Sequence, residues 1–277
     1  MLAKFLVVVV LLACAPFTAQ ASSKQEKAKE LVQFLQNHGL SPEHLKVEVA
    51  ESATSAYGVS VRAAEDIEAK DLLLSVPKAL TIRSSSLGEI FPQALNHAML
   101  LSESTYLLEI ATTLVLLYEK HVNKATIWGP YLALLPTPAE LKNHSLYWSD
   151  EAIAELKGST WSVNKVNAHR EAVEITHRVC QDLTKPGTIS LSLVEEPAAT
   201  PKTLMVPEAC TVEEVRWALA VVLSRVWKSV EGEQAFAFLM PLLDLFNHKR
   251  TGLAVSTNSV SILSYYYTFF LTLYLPL

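Results

Sequence analysis

Apolar residues change their spacing twice along this chain, and that double change restricts the fold more than any single motif does. Residues 46–82, KVEVAESATSAYGVSVRAAEDIEAKDLLLSVPKALTI, alternate polar with apolar and are rich in Val and Ile. Period two reads as strands, here three short ones around turns. Across residues 87–118 the spacing turns helical, and EIATTLVLLYEK can bury one face while leaving Glu119 and Lys120 in water. Near the other end FAFLMPLLDLF, residues 236–246, reads as a buried strand bent at Pro241. Strands, a long helical middle and a strand again suit one domain split by an insertion.

Local signals fill in the helices. LVQFLQNHGL has helical spacing, with Gly39 placed to end the helix. SDEAIAELKGST opens on a Ser-Asp-Glu cap signal, residues 164–183 form a longer helix, and TVEEVRWALAVVLSRVW starts with Thr211 and Glu214 as a capping box. WGPYLALLPTPAEL, with its prolines, reads as a loop packed on the core, and residues 185–207 as a second loop. No repeat of fixed period is present.

Composition narrows the chemistry. Half of the 277 residues are apolar, enough for a sizeable core. The formal charge is −5 with no basic block, which argues against nucleic acid as partner. His169 and His177 lie about two helical turns apart, but no Cys, Asp or Glu completes a ligand set, so no metal is expected. There is no nucleophile elbow and no phosphate-cradling glycine loop, and only eight glycines in all.

The N-terminus reads as a secretory signal over residues 1–21: Lys4, the apolar FLVVVVLLACAPF, then Ala19-Gln20-Ala21 as a cleavage site. The apolar run is short of the about 20 residues that span a bilayer. After cleavage Cys180 and Cys210 remain and could close one loop in an oxidising compartment. Asn143-His144-Ser145 is the one glycosylation sequon and matters only on the secretory route.

Four segments raise a question of ligand binding. YGVSVRAAEDI is a backbone edge around a ligand or a plain hairpin. Arg225, in SRVW, sits deep in an apolar helix and needs the rim or an anion, either a structural carboxylate or a ligand's. WGPYLALLP alone is a packed loop, and Asn247-His248 alone could simply satisfy backbone groups at a strand end.

Taken in order, these segments resemble the SET-domain protein methyltransferases, in the subgroup with a large helical insertion to which the Rubisco large-subunit lysine and actin-histidine methyltransferases belong. YGVSVRAAEDIEAKDLLLSVP resembles the family's G-x-G-x-x-A-x-x-D-I…L-x-x-V-P opening, with Ser60 in place of the second Gly. WGPYLALLP is similar to W-x-P-Y-x-x-x-L-P, YWSDEAIAELKGS to W-(S/T)-x-x-E-x-x-x-L-x-G-(S/T), and WALAVVLSRVW to W-A-x-x-x-x-x-S-R-x-(F/W). PLLDLFNH, similar to P-x-x-D-x-x-N-H, is the most specific of the five. The resemblance implies an α+β fold of small SET-type sheets around a mostly helical insert. Its parts are residues 31–86, the insert 87–234, and 235–257 as the start of the C-terminal SET part.

The resemblance further implies S-adenosylmethionine as cofactor and a protein substrate, with lysine rather than histidine as acceptor, in a monomer. Asn247 would hold the cofactor's ammonium end and the His248 backbone its adenine. Arg225 would face the cofactor carboxylate, Tyr57, Gly58 and Val59 would line the opposite side, and Asp244 would be a structural acceptor in the same knot. The family's channel tyrosine, from a strand–Tyr–Gly segment, has no counterpart at the expected distance: Tyr265, Tyr266 and Tyr267 come too soon after His248. Residues 258–277 show no strand alternation and read as an aberrant apolar tail, so the C-terminal part of the SET core is expected to be missing and activity of the chain as it stands to be in doubt. The other reading is a non-catalytic SET-like binding module. The signal points to the secretory route, with delivery to a plastid, or cytosol and nucleus, as alternatives.

Overall fold

The computed structural model describes residues 23–42, 45–52, 58–67, 74, 76–91, 105–185, 205–232, 234–246, 256–261 and 270–274. The signal expected at 1–21, Tyr57, Asn247, His248 and Tyr265–Tyr267 lie outside the described residues, as do most of the loop at 185–207 and part of the helical stretch at 87–118.

Helix α1 (Lys24–Asn37) starts on a reciprocal cap: the Ser23 hydroxyl accepts from the Glu26 N–H, and the Glu26 carboxylate accepts from the Ser23 N–H. It ends as the sequence suggests, with Gly39 at φ 106°. Its buried face, Ala28, Leu31 and Leu35, packs on β1 (Val47–Glu51) and on α4 (Gly129–Leu134). β1 pairs antiparallel with β2 (Val59–Ala63), Val47 opposite Ala63 and Glu51 opposite Val59. The chain reaches β2 through Gly58, whose φ of 77° only glycine adopts without strain.

A second sheet has the order β3-β5-β4, all antiparallel. β3 (Ile82–Arg83) precedes the helical middle, whereas β4 (Trp227–Glu231) and β5 (Gln234–Leu239) follow it. Distant parts of the chain therefore close one sheet, as the two changes of period require. Between them come α2 (Ser86–Ile90), α3 (Leu107–His121), α4, α5 (Asp150–Ala154), α6 (Thr160–Leu183) and α7 (Val212–Arg225). α3, α6 and α7 pack on one another, and α3 also lies against β3 and β5. A disulfide joins Cys180 on α6 to Cys210 in the short 3-10 turn Pro207–Cys210 before α7. Among the described residues no helix is long and apolar enough to cross a membrane.

Several local expectations change. The WGPYLALLP segment is not a loop: Pro130 occupies the first turn of α4, where its missing N–H costs nothing, and Leu135 returns to extended backbone just before Pro136. α3 is buried on more than one face, so Glu119 is 8% exposed and accepts from the Asn123 amide instead of facing water. α6 begins at Thr160, on the Ser159 cap, rather than at 164. The helix read through Trp227 stops at Arg225, and Trp227 opens β4, which turns into β5 at Gly232 (φ 63°). Ser256–Ser261 (β6) and Phe270–Tyr274 (β7) pair antiparallel, with an irregularity between Thr257 and Val260, although no strand alternation is visible there in the sequence.

Candidate functional site

Helix α7 ends inside the molecule. Val215, Trp217 to Val222 and Arg225 are buried along it, and the next residue, Val226, is already extended. An apolar helix of this kind delivers its last side chain, a guanidinium, to the interior. Arg225 is 2% exposed in its side chain and meets Asp244, whose side chain is fully buried.

Asp244 comes from the segment after β5. Leu242, itself fully buried, has φ 73° and ψ −44°, a region that costs a non-glycine residue roughly 1–3 kcal/mol. That twist reverses the chain into the 3-10 turn Leu243–Leu245 and aims the Asp244 carboxylate back at α7. Arg225 Nη1 lies 3.2 Å from Asp244 Oδ2 and donates to the Asp244 carbonyl at 3.1 Å. The Tyr131 hydroxyl on α4 donates to the same Oδ2 at 2.6 Å. Oδ2 thus takes two donors, while Oδ1 is buried and has no partner among the described residues.

The electrostatics follow from the burial. Desolvation pushes the Asp244 carboxyl above its usual range, opposed by Arg225 and by the Tyr131 hydrogen bond. Desolvation and then the Asp244 charge hold the Tyr131 phenol far above its ordinary value, so it stays a donor. The Leu243–Leu245 turn also packs against β2, so the Val59 strand, Asp244 and Arg225 are brought to one place by three distant parts of the chain. Gly58 sits at the entrance to that strand, and its carbonyl accepts from the Ser52 N–H at 3.0 Å.

Of the residues singled out in the sequence, the structure therefore gathers Val59, Arg225 and Asp244, with Gly58 beside them; Tyr57, Asn247 and His248 fall outside the described residues. The described partner of Arg225 is the structural carboxylate, the plainer of the two anions considered for it. Tyr131 was not singled out. Its signal was available, since a tyrosine inside the W-x-P-Y pattern and wholly buried needs an acceptor for its hydroxyl. Among the described residues no cluster of three His, Cys, Asp or Glu could hold a metal ion.

No family model matches the chain. It is 24% identical over 238 residues to the chloroplastic [fructose-bisphosphate aldolase]-lysine N-methyltransferase of Arabidopsis thaliana, covering 84% of this chain and 42% of that one. It is 23% identical over 191 residues to the chloroplastic ribulose-1,5-bisphosphate carboxylase/oxygenase large subunit N-methyltransferase of Pisum sativum, 69% of this chain and 33% of that. With the actin-histidine N-methyltransferase of Papio anubis the identity is 27% over 200 residues, 69% and 29% of the two chains. Among solved structures, the SET domain of LSMT bound to lysine and AdoHcy superposes with a TM-score of 0.60 at 22% identity, over 90% of this chain and 50% of that one. Rubisco LSMT bound to AdoMet gives 0.58 at 20% identity. The chain has the SET-domain fold with a helical insertion, and it spans less than half the length of the curated relatives it matches.

Proposed function

We propose that this chain is an S-adenosylmethionine-dependent protein methyltransferase whose cofactor lies against Tyr57, Gly58, Val59, Arg225, Asp244, Asn247 and His248, with a protein lysine rather than histidine as acceptor. The observation that carries the reading is the buried knot of Arg225, Asp244 and Tyr131 beside the Val59 strand, directly before Asn247-His248. Its features suit a cofactor with an amino-acid end. Asp244 Oδ1 is a buried acceptor open to a donor. A guanidinium carries five N–H donors, so an anchor on Asp244 and a second carboxylate are compatible. The Asn247 side chain, three residues beyond Asp244, is assigned to the ammonium group and the His248 backbone to the adenine.

When bound, the cofactor supplies a methyl group activated on a sulfonium. The chain's own residues need only hold the donor, exclude water and present the acceptor nitrogen neutral and in line, so orientation supplies most of the rate. Curated relatives with plant sequences are chloroplastic enzymes acting on Rubisco and aldolase, and the actin-histidine enzyme acts on a histidine; the lysine assignment is supported by the aldolase-lysine enzyme, which aligns over 84% of this chain, and by the lysine-bound SET domain. For the compartment, the Cys180–Cys210 bond favours an oxidising one, and the chain is assigned to the secretory route.

The test is transfer of labelled methyl from S-adenosylmethionine to a protein extract, followed by identification of the labelled residue. Label on lysine supports the proposal, and label on histidine alone overturns the acceptor assignment. Cofactor binding with no transfer to any extract would favour the binding-module reading. Transfer by the 277-residue chain would assign the channel hydroxyl to one of Tyr265, Tyr266 and Tyr267.

A further inference from the structure

We infer that Asn143 is an acceptor for an N-linked glycan, an inference that rests on the secretory reading above. Asn143-His144-Ser145 has the required spacing, and His144 is not proline. The sequon lies on an exposed turn leading into the 3-10 helix Ser145–Tyr147, and the Asn143 side chain is in water. What distinguishes it from a chance triplet is how the turn is held. The Asn143 carbonyl accepts from the Trp148 indole N–H at 3.0 Å, the His144 N–H donates to Leu141, and the His144 ring accepts from the Leu146 N–H at 3.2 Å. The turn is thus tied by backbone groups, by the Trp148 indole and by the His144 ring. Among the described residues the Asn143 carboxamide and the Ser145 hydroxyl make no bond, so a large polar substituent on Asn143 displaces nothing.

A second observation is independent of the sequon. Cys180 and Cys210 are 0% and 4% exposed and bonded to each other, a pairing that belongs to an oxidising compartment, where such glycans are added. In the reaction the Asn143 amide nitrogen attacks the anomeric carbon of a lipid-pyrophosphate-linked oligosaccharide. A C–N bond forms, the C–O bond to the pyrophosphate breaks, the nitrogen gives up one proton, and the lipid pyrophosphate leaves with the bonding electron pair. The co-reactant is the secretory route's own glycosyl donor, and no oxidant or reductant is needed.

The experiment expresses the full chain with its own N-terminus in eukaryotic cells. It compares mobility before and after peptide-N-glycosidase, with protease protection of the microsomal fraction measured in parallel. One enzyme-sensitive shift is expected, abolished in Asn143→Gln and Ser145→Ala and retained in Ser145→Thr, which separates loss of the acceptor site from misfolding. A protease-protected chain without a shift overturns the glycan and leaves the secretory reading standing. An unshifted chain digested outside the vesicles overturns both.

Discussion

Removing the Asp244 carboxylate would take from the Arg225 guanidinium, 2% exposed, its buried ion-pair partner. Losing one partner of a buried pair costs about 3–5 kcal/mol, so Asp244→Ala is expected to lower the melting point sharply with or without cofactor. Tyr131→Phe leaves the carboxylate one donor poorer and should cost about 1–3 kcal/mol, read by denaturant titration; a loss in the range of an ordinary surface substitution would remove Tyr131 from the knot. Arg225→Lys should recover only part of what Arg225→Ala loses, because Nη1, which makes both contacts to Asp244, stands at the far end of a guanidinium, and lysine brings a shorter, more strongly hydrated charge into the same interior. At this scale the sequence named Arg225 because a guanidinium in an apolar helix demands an anion, while Asp244 came with the family resemblance as a structural acceptor in the same knot; neither reading made each the other's partner. Which groups meet depends on the Leu242 reversal, and a leucine carries no local sign that it will adopt positive φ.

Helices α3 and α7 are joined by a charged cluster that a rule confined to one helix cannot foresee. Thr211 caps α7 by accepting from the Glu214 N–H, as expected. The recorded partners of the Glu214 carboxylate, however, are His121 Nε2 at 3.1 Å and Lys120 Nζ at 2.7 Å, and Lys120 also covers the Trp217 ring. An ammonium and an imidazole on a packed neighbour offer the carboxylate more than the reciprocal half of the box does. The His121 hydrogen bond, followed by the Lys120 bond and charge, holds the Glu214 pKa down at about 2 against an ordinary 4.5. A depressed carboxyl adds stability that is present above the ordinary value and lost as pH falls toward about 2. Wild type should therefore lose roughly 1–2 kcal/mol more than Glu214→Gln across that window, measured by denaturant titration at several pH values. Parallel losses in the two proteins would show that the cluster adds nothing.

Viewed whole, the described helices and the sheet β3-β5-β4 share one buried core, and that sheet closes only when residues separated by the helical insert come together. The period changes made that split legible, along with most helices, since spacing survives whatever packs around it. β4 was hidden because WKSVE continues an apolar helix without a glycine or proline at the junction, and its pairing with β5 is a long-range choice that local propensity does not make. The Cys180–Cys210 bond adds a covalent tie between α6 and the start of α7, and closing a loop of 30 residues is worth about 3–4 kcal/mol. Reduction should lower the melting point of wild type and leave Cys180→Ser/Cys210→Ser unchanged; equal melting of reduced and oxidised wild type would contradict the cross-link.

The proposal that this SET fold holds S-adenosylmethionine at the junction of the Arg225–Asp244 knot and the Asn247-His248 pair is tested by calorimetric titration of the cofactor into wild type and Asn247→Ala. One binding site in wild type and an affinity at least about tenfold weaker in the variant are expected, with both cofactor-free proteins melting alike. Equal affinity in the two proteins, or a folded wild type that gives no binding heat and no cofactor-dependent rise in melting point, would contradict it.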